Sequence, residues 1–423
     1  MDSCLVLLSQ EDAINRLGFS LLSCIIASFT LGAGAFHSAS GSNARVGSVT
    51  AVEAMLEPRS GHTATLLPSG KVLIAGGMRR NQDFYKSAEL YDPATGKFQA
   101  TGEMNERRVS PVAALLGSRK VLIAGGWIGH GCTDSAEIYD PATGKFSHIA
   151  SKMTSVRGDA RGTLLSDGDV LITGGGDHDS PGGIASAELF HPATMNFVPV
   201  GPMHFARVAH TATLLRDGRV LIVGGRGEKV NAVAEIYDPK TRRFTDTGSL
   251  MTARYKHTAG LLPDGRVLVA GGSDERDWSG NLNSAEIYDP ASGKFSPAPP
   301  LNEKRFKLPE DAVQLPSGRL LIAGGSKEVE VFDPVSGNFL LASGQITDVW
   351  HFMTETKLKD GSVLLAGGYP NNDRATAEAW IYRAVRERGP WLRRFAIRKS
   401  RTGCAARALP LQFAEGWERT RCN

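Results

Sequence analysis

At 423 residues the chain is long enough for two or three ordinary domains or for one large closed repeat domain, and its 48 glycines, 7% aromatics and 22% charged residues favour many short strands joined by tight turns. The net charge of +4 is uneven, because residues 383–423 hold eleven Lys/Arg against Glu387, Glu415 and Glu418, leaving 37 basic and 41 acidic groups on the rest. A slightly acidic body offers no field for nucleic acid, so nucleic-acid binding is not expected.

The first element in the chain is an uncharged run, Leu17–Phe36, preceded by Arg16 and followed through Ala33-Gly34-Ala35, the small-x-small pattern that signal peptidase cuts. Residues 1–36 are therefore expected to be an export signal or, since the run is just long enough to span a bilayer, a membrane anchor. Either way the protein is expected outside the cytoplasm: secreted, periplasmic or membrane-anchored. Leu21-Leu22-Ser23-Cys24 resembles a lipoprotein box, although the apolar run continues past Cys24. With Cys4 and Cys24 in the signal, Cys132, Cys404 and Cys422 remain, and Cys404 with Cys422 is the expected disulfide, leaving Cys132 unpaired.

From here a repeat organises the chain. A Gly-Gly pair closes an apolar run seven times, beginning at Gly76, Gly125, Gly174, Gly224, Gly271, Gly324 and Gly367. Each copy holds two β-rich runs, separated in four copies by Asp-Gly and in two by Ser-Gly, as at Asp167-Gly168 and Ser69-Gly70, a hairpin signal whose turn needs positive φ. A third run, Ala-Glu-Ile/Leu-Tyr around Glu89, Glu137, Glu235 and Glu286, is followed by an Asp-Pro-Ala-Thr-Gly turn. A fourth starts at Phe98, Phe146, Phe197, Phe244, Phe295 or Phe339. One four-stranded antiparallel unit per roughly 50 residues, with no helical periodicity, predicts an all-β, seven-bladed propeller.

The double Gly, the Tyr-Asp-Pro and the aromatic that follows it make this repeat resemble the kelch family over residues 47–382, with Phe where that family often has Trp. The last copy stops after its third strand at Glu378–Tyr382, while Gly47–Met55 aligns with fourth strands elsewhere, so the N-terminal strand is expected to close the ring. Residues 383–423 fit no repeat and read as a basic, poorly ordered tail.

The turns between strands one and two are uniform, whereas the two-to-three loops differ in every blade, which places a binding site on the second rim. Those loops carry Trp127, Trp278, Tyr85 and Tyr369 beside Asp177 and Asp274, with Asp83, Asp134, Asp179, Asp277, Asn281 and Asn372 nearby. Aromatic faces with short carboxylates and amides suit a sugar or a polar peptide. His62, His210 and His257 share one repeat position, where other blades have Pro111, Ala160, Glu310 and Met353. The preceding Arg59, Arg108, Arg157, Arg207 and Arg254, with Lys307, read as inter-blade ties.

The galactose-oxidase branch of the kelch family is an enzymatic relative, and the resemblance implies a copper His at the His62 position with tyrosines immediately before it. Here those places hold Gly61, Ser110, Asp159, Ala209, Lys256, Pro309 and Phe352, so no copper-radical site, and no metal or other cofactor, is expected. The sequence therefore reads as a monomeric binding module for a carbohydrate or protein ligand, with a loop-built glycan hydrolase or epimerase and a structural scaffold as the alternatives.

Overall fold

The computed structural model describes residues 45–80, 83–177, 182–370 and 374–385. The expected signal or anchor at 1–36, most of the basic tail, the Cys404–Cys422 pair, Asp179 and Asn372 lie outside the described residues. Among the described residues no helix is long and apolar enough to cross a membrane.

Seven four-stranded antiparallel sheets follow one another along the chain. Blade one is typical, with strands Thr63–Leu66, Val72–Ala75, Ala88–Asp92 and Lys97–Ala100 pairing in that order. The first strands begin at Thr63, Val112, Arg161, Thr211, Thr258, Val313 and Thr354, and each lies beside those of the neighbouring blades in a closed ring around the axis. The strand one-to-two turns are three-residue loops: Leu67 N–H meets Lys71 O at 2.8 Å, and Gly70 at φ +94° supplies the left-handed residue such a turn requires. Gly47–Ala51 pairs antiparallel with Ala379–Ala384, Gly47 opposite Ala384 and Ala51 opposite Trp380, and so provides the fourth strand of blade seven.

The second strands, such as Val72–Ala75 and Val121–Ala124, are buried on both faces, because each blade packs face to face against two others. There is no single central core. Leu73 and Ala75 of blade one pack with Val121, Ile123 and Tyr139 of blade two, and six equivalent clusters run round the ring to Ile381 of blade seven against Ile74 of blade one. In six blades a strand-three aromatic meets the strand-four Phe, as in Tyr237 and Phe244, whose ring centroids are 5.0 Å apart.

The Gly-Gly pair exists because the connector to the next blade passes over it. A Cβ on Gly76 would fall 2.4 Å from the Arg108 carbonyl oxygen, and Gly77 N–H donates to that same oxygen at 2.8 Å. The Arg108 side chain then turns into its own blade, donating to Gly125 O, Ser135 O and Glu137 Oε1, at 2.8, 3.1 and 3.1 Å. Each such arginine thus joins two blades, by backbone to one and by guanidinium to the other. The sixth is Arg305, which donates to Gly324 O and Glu330; Lys307 does not occupy that role. Blade six carries two extra residues between the arginine and its Gly pair, which shifts the sequence alignment there.

Candidate functional site

The connectors entering the first strands converge on the axis at the rim that also carries the two-to-three loops. At this rim seven residues, Gly61, Ser110, Asp159, Ala209, Lys256, Lys307 and Phe352, all have φ between +48° and +59°. Backbone hydrogen bonds run between neighbours in this set: Gly61 to Phe352, Ser110 to Gly61, Ala209 to Asp159, Lys256 to Ala209 and Phe352 to Lys307, at 2.7–3.4 Å. Left-handed geometry costs a non-Gly residue on the order of 1 kcal/mol. Since all seven blades share it, the geometry belongs to the ring, and only the side chains differ. Lys307 rather than Pro309 is therefore the blade-six member, and Leu308 rather than Glu310 follows in the histidine position.

Beneath this ring lies a cavity of about 240 Å³, lined by residues of blades one, two, three, six and seven. Its wall carries the carboxylates Asp159, Glu310, Asp311 and Glu355, the hydroxyls of Ser110, Thr63 and Thr354, and His62. Glu310 is enclosed by the blades yet open to channel water, its side chain 49% exposed, and Arg161 reaches it from behind. The enclosure raises the Glu310 pKa, and it pushes Asp311 up to about 7 with help from the neighbouring Glu310 charge. Burial pushes Glu355 up to about 8. One Glu355 oxygen accepts the Ala323 N–H at 2.6 Å, and its Oε2 is buried without a hydrogen-bond partner. Sequence reading missed this site, although one signal was present: Glu310-Asp311 sits in the blade-six insertion.

The residues expected on the rim fall into separate groups. Trp278, 43% exposed, lies edge-on to Phe306 and His351, and the Lys307 ammonium stacks 3.6 Å from its ring centroid. Tyr369 is buried, not an exposed face, and its hydroxyl accepts from Lys307 Nζ at 2.7 Å. Lys307 thus unites these two predicted aromatics and Phe352, a wall residue of the cavity. Across the axis, Trp127 donates from its indole nitrogen to Asp159, another wall residue, at 3.1 Å. Asp177 accepts the Cys132 N–H at 2.9 Å, and Cys132 is a free, buried thiol. Asp274 is held by Arg276 at 2.6 Å, which keeps its carboxyl below the usual range. Tyr85 stands apart, over the Arg59 guanidinium at 4.9 Å.

His62, His210 and His257 are buried, each with Nε2 on a threonine hydroxyl, of Thr354, Thr173 and Thr211 respectively. Burial holds the His62 pKa at about 3 and the other two well below the ordinary value, so all three are neutral. The copper ion of an oxidase-type propeller does not fit here: none of the seven mouth residues is a tyrosine, and each histidine has its Nε2 on a threonine and its Nδ1 buried. Among the described residues, the one grouping with metal-like proximity is His204, Glu235 and Asp246, where Glu235 is already paired with Arg207.

Residues 108–153 and 254–302 match the Kelch motif, each segment running from an inter-blade arginine through a whole blade. Two blades of the seven-bladed β-propeller thus carry kelch motifs. A fungal alcohol oxidase described as showing catalytic diversity among the AA5 family, and solved in complex with copper, is similar in structure at a TM-score of 0.65. It is 16% identical, with 80% of this chain and 76% of that one covered, a likeness of fold. No curated protein matches the sequence significantly.

Proposed function

We propose that this kelch propeller is an extracytoplasmic binding module that holds a carbohydrate at the channel mouth, between the variable loops of one rim. The observation that carries the reading is the cavity itself: carboxylates and hydroxyls line it, as sugar hydroxyls require, and residues of its wall are touched by Trp127 on one side and by the Trp278–Lys307 group on the other. Trp278 keeps enough surface to stack on a pyranose face. The location rests on the export-type run at Leu17–Phe36.

A glycan array run in parallel with a reducing-end release assay tests this reading. Retention of a defined glycan without release is the expected result, with mature protein starting near Phe36 by N-terminal mass spectrometry. Release of sugar would make it a glycan-acting enzyme, and retention of peptides in place of glycans would make it a protein-binding module.

A further inference from the structure

Blade six departs from the repeat where its first strand begins. In the other blades four residues of the first strand pair with the second, but in blade six only Val313 and Gln314 do so. The Ala323 N–H of its second strand donates instead to Glu355 Oε1 of blade seven, at 2.6 Å. Pro309–Asp311, at the two-residue insertion, line the channel and bind blade five: Ala259 N–H donates to Glu310 O at 3.0 Å, and Ala312 N–H to Ala259 O at 2.8 Å. From this bulge the Glu310 carboxylate is ion-paired with Arg161, the first residue of the first strand of blade three. Arg161 is itself held by two carbonyls, with Nε on His210 O at 2.6 Å and a terminal nitrogen on Ala160 O at 3.2 Å. The same place is threonine in blades one, four, five and seven, at Thr63, Thr211, Thr258 and Thr354, so the blade itself does not require an arginine there.

Blades three and six are not neighbours in the ring, so this pair forms a chord, with blades four and five on one side and seven, one and two on the other. The open space is divided in the same way. The mouth cavity of about 240 Å³ is lined by blades six, seven, one, two and three, and a second cavity of about 320 Å³ by blades three, four, five and six, with Gly162 and Asp311 on the wall of both. The second reaches Leu164, Leu214 and Leu261, the last residues of their first strands, and so lies toward the rim of the one-to-two turns. We infer that Pro309–Asp311 is a strap across the central channel, pinned to blade three by the Arg161–Glu310 pair, which keeps the two cavities apart and sets how deep the mouth cavity runs. An inserted residue that leaves its ladder makes a bulge that re-aims the chain, as here. The Glu310 side chain is half open to channel water, so the pair holds the strap modestly, and its loss lets the strap open locally while the blades stay folded. The strap goes beyond the carbohydrate reading and does not depend on what the mouth binds.

The test is amide hydrogen exchange on the full chain and on Arg161→Thr, Glu310→Ala and the double variant, with a crystal structure of Arg161→Thr. The Ala259 and Ala312 amides, which bind the strap to blade five, are expected to exchange about three- to tenfold faster in each single variant and no faster in the double. The Val72–Ala75 amides of blade one should keep the parent rate, and the crystal should show one continuous space in place of the two cavities. Parent rates at Ala259 and Ala312 in both single variants would overturn the strap. Effects that add in the double variant would overturn it too, because Arg161 would then act through the His210 and Ala160 carbonyls and not through Glu310. Faster exchange in blade one to the same degree would mean that the whole ring has loosened, and two unchanged cavities in the variant crystal would mean that the pair does not divide the channel; either result sinks the inference.

Discussion

Each of the six inter-blade arginines sits 2.6–3.1 Å from a buried glutamate on its own third strand, Arg157 with Glu188 and Arg207 with Glu235 among them. Removing one partner of such a pair leaves an unpaired buried charge, whereas replacing both by packed apolar groups can be neutral. Blade seven shows the second outcome: Trp350 takes the arginine position and Trp380 the glutamate position, their ring centroids 6.4 Å apart. At the same scale the rim and the core can be separated by mutation. Phe244 is 5% exposed against Tyr237, so Phe244→Ala is expected to cost about 3–5 kcal/mol of stability. Trp278→Ala removes a ring 43% exposed and one cation–π contact, and is expected to cost less than about 2 kcal/mol of stability while weakening sugar binding by about 1–3 kcal/mol. Denaturant melts and titration on the same samples read both quantities. A Trp278 variant as unstable as Phe244→Ala with unchanged affinity would mean that the indole is a packing residue.

At the scale of elements, ring closure depends on one strand from the other end of the chain. Gly47–Ala51 forms a full ladder with Ala379–Ala384 and also ties to blade six, Ser343 N–H donating to Gly47 O at 2.7 Å and Val49 N–H to Ser343 O at 2.8 Å. Deleting Gly47–Ala51 exposes the edge of Ala379–Ala384 and uncovers Trp380 and Tyr382, so the melting temperature should fall far more than on deleting residues 393–423. Equal melting of the two truncations would contradict closure by this strand. The strand was legible in the sequence because its apolar pattern matches fourth strands elsewhere, as were the blades, each with its own turn and Gly pair. The cavity was not. Its wall is assembled from Asp159, Glu310 and Glu355, residues of three blades that are about 45 to 200 positions apart, and only the closed ring brings them together. Blade six misaligns in the sequence for a related reason: its two-residue insertion falls between Arg305 and the Gly pair, so counting back from Gly324 leads to Glu310 when Leu308 holds the equivalent place.

For the whole molecule, the buried histidines and the carboxyls enclosed at the cavity wall make stability depend on pH from both sides. His62, with its folded pKa at about 3, and His210 and His257, also depressed by burial, take up protons only on unfolding. They favour the unfolded chain increasingly as pH falls below their ordinary value of about 6.5. Asp311 and Glu355 act in the opposite sense: folded, they hold protons up to about 7 and 8, whereas unfolded they release them near pH 4, so stability falls as pH rises through that interval. Between about pH 4.5 and 6.5 the two sets offset one another. Above that only the carboxyls act, with Arg305 and Asp311 the charged neighbours of Glu355 and with Arg161 and Glu310 those of Asp311. The expected melting temperature is therefore level in the mildly acidic range and declines toward pH 8, and the double variant Asp311→Asn, Glu355→Gln should flatten that decline while leaving the acid limb in place. Melting curves of both proteins from pH 3 to 9 measure this, and a double variant whose alkaline limb matches the parent would show that these two carboxyls are ionised in the folded ring at neutral pH.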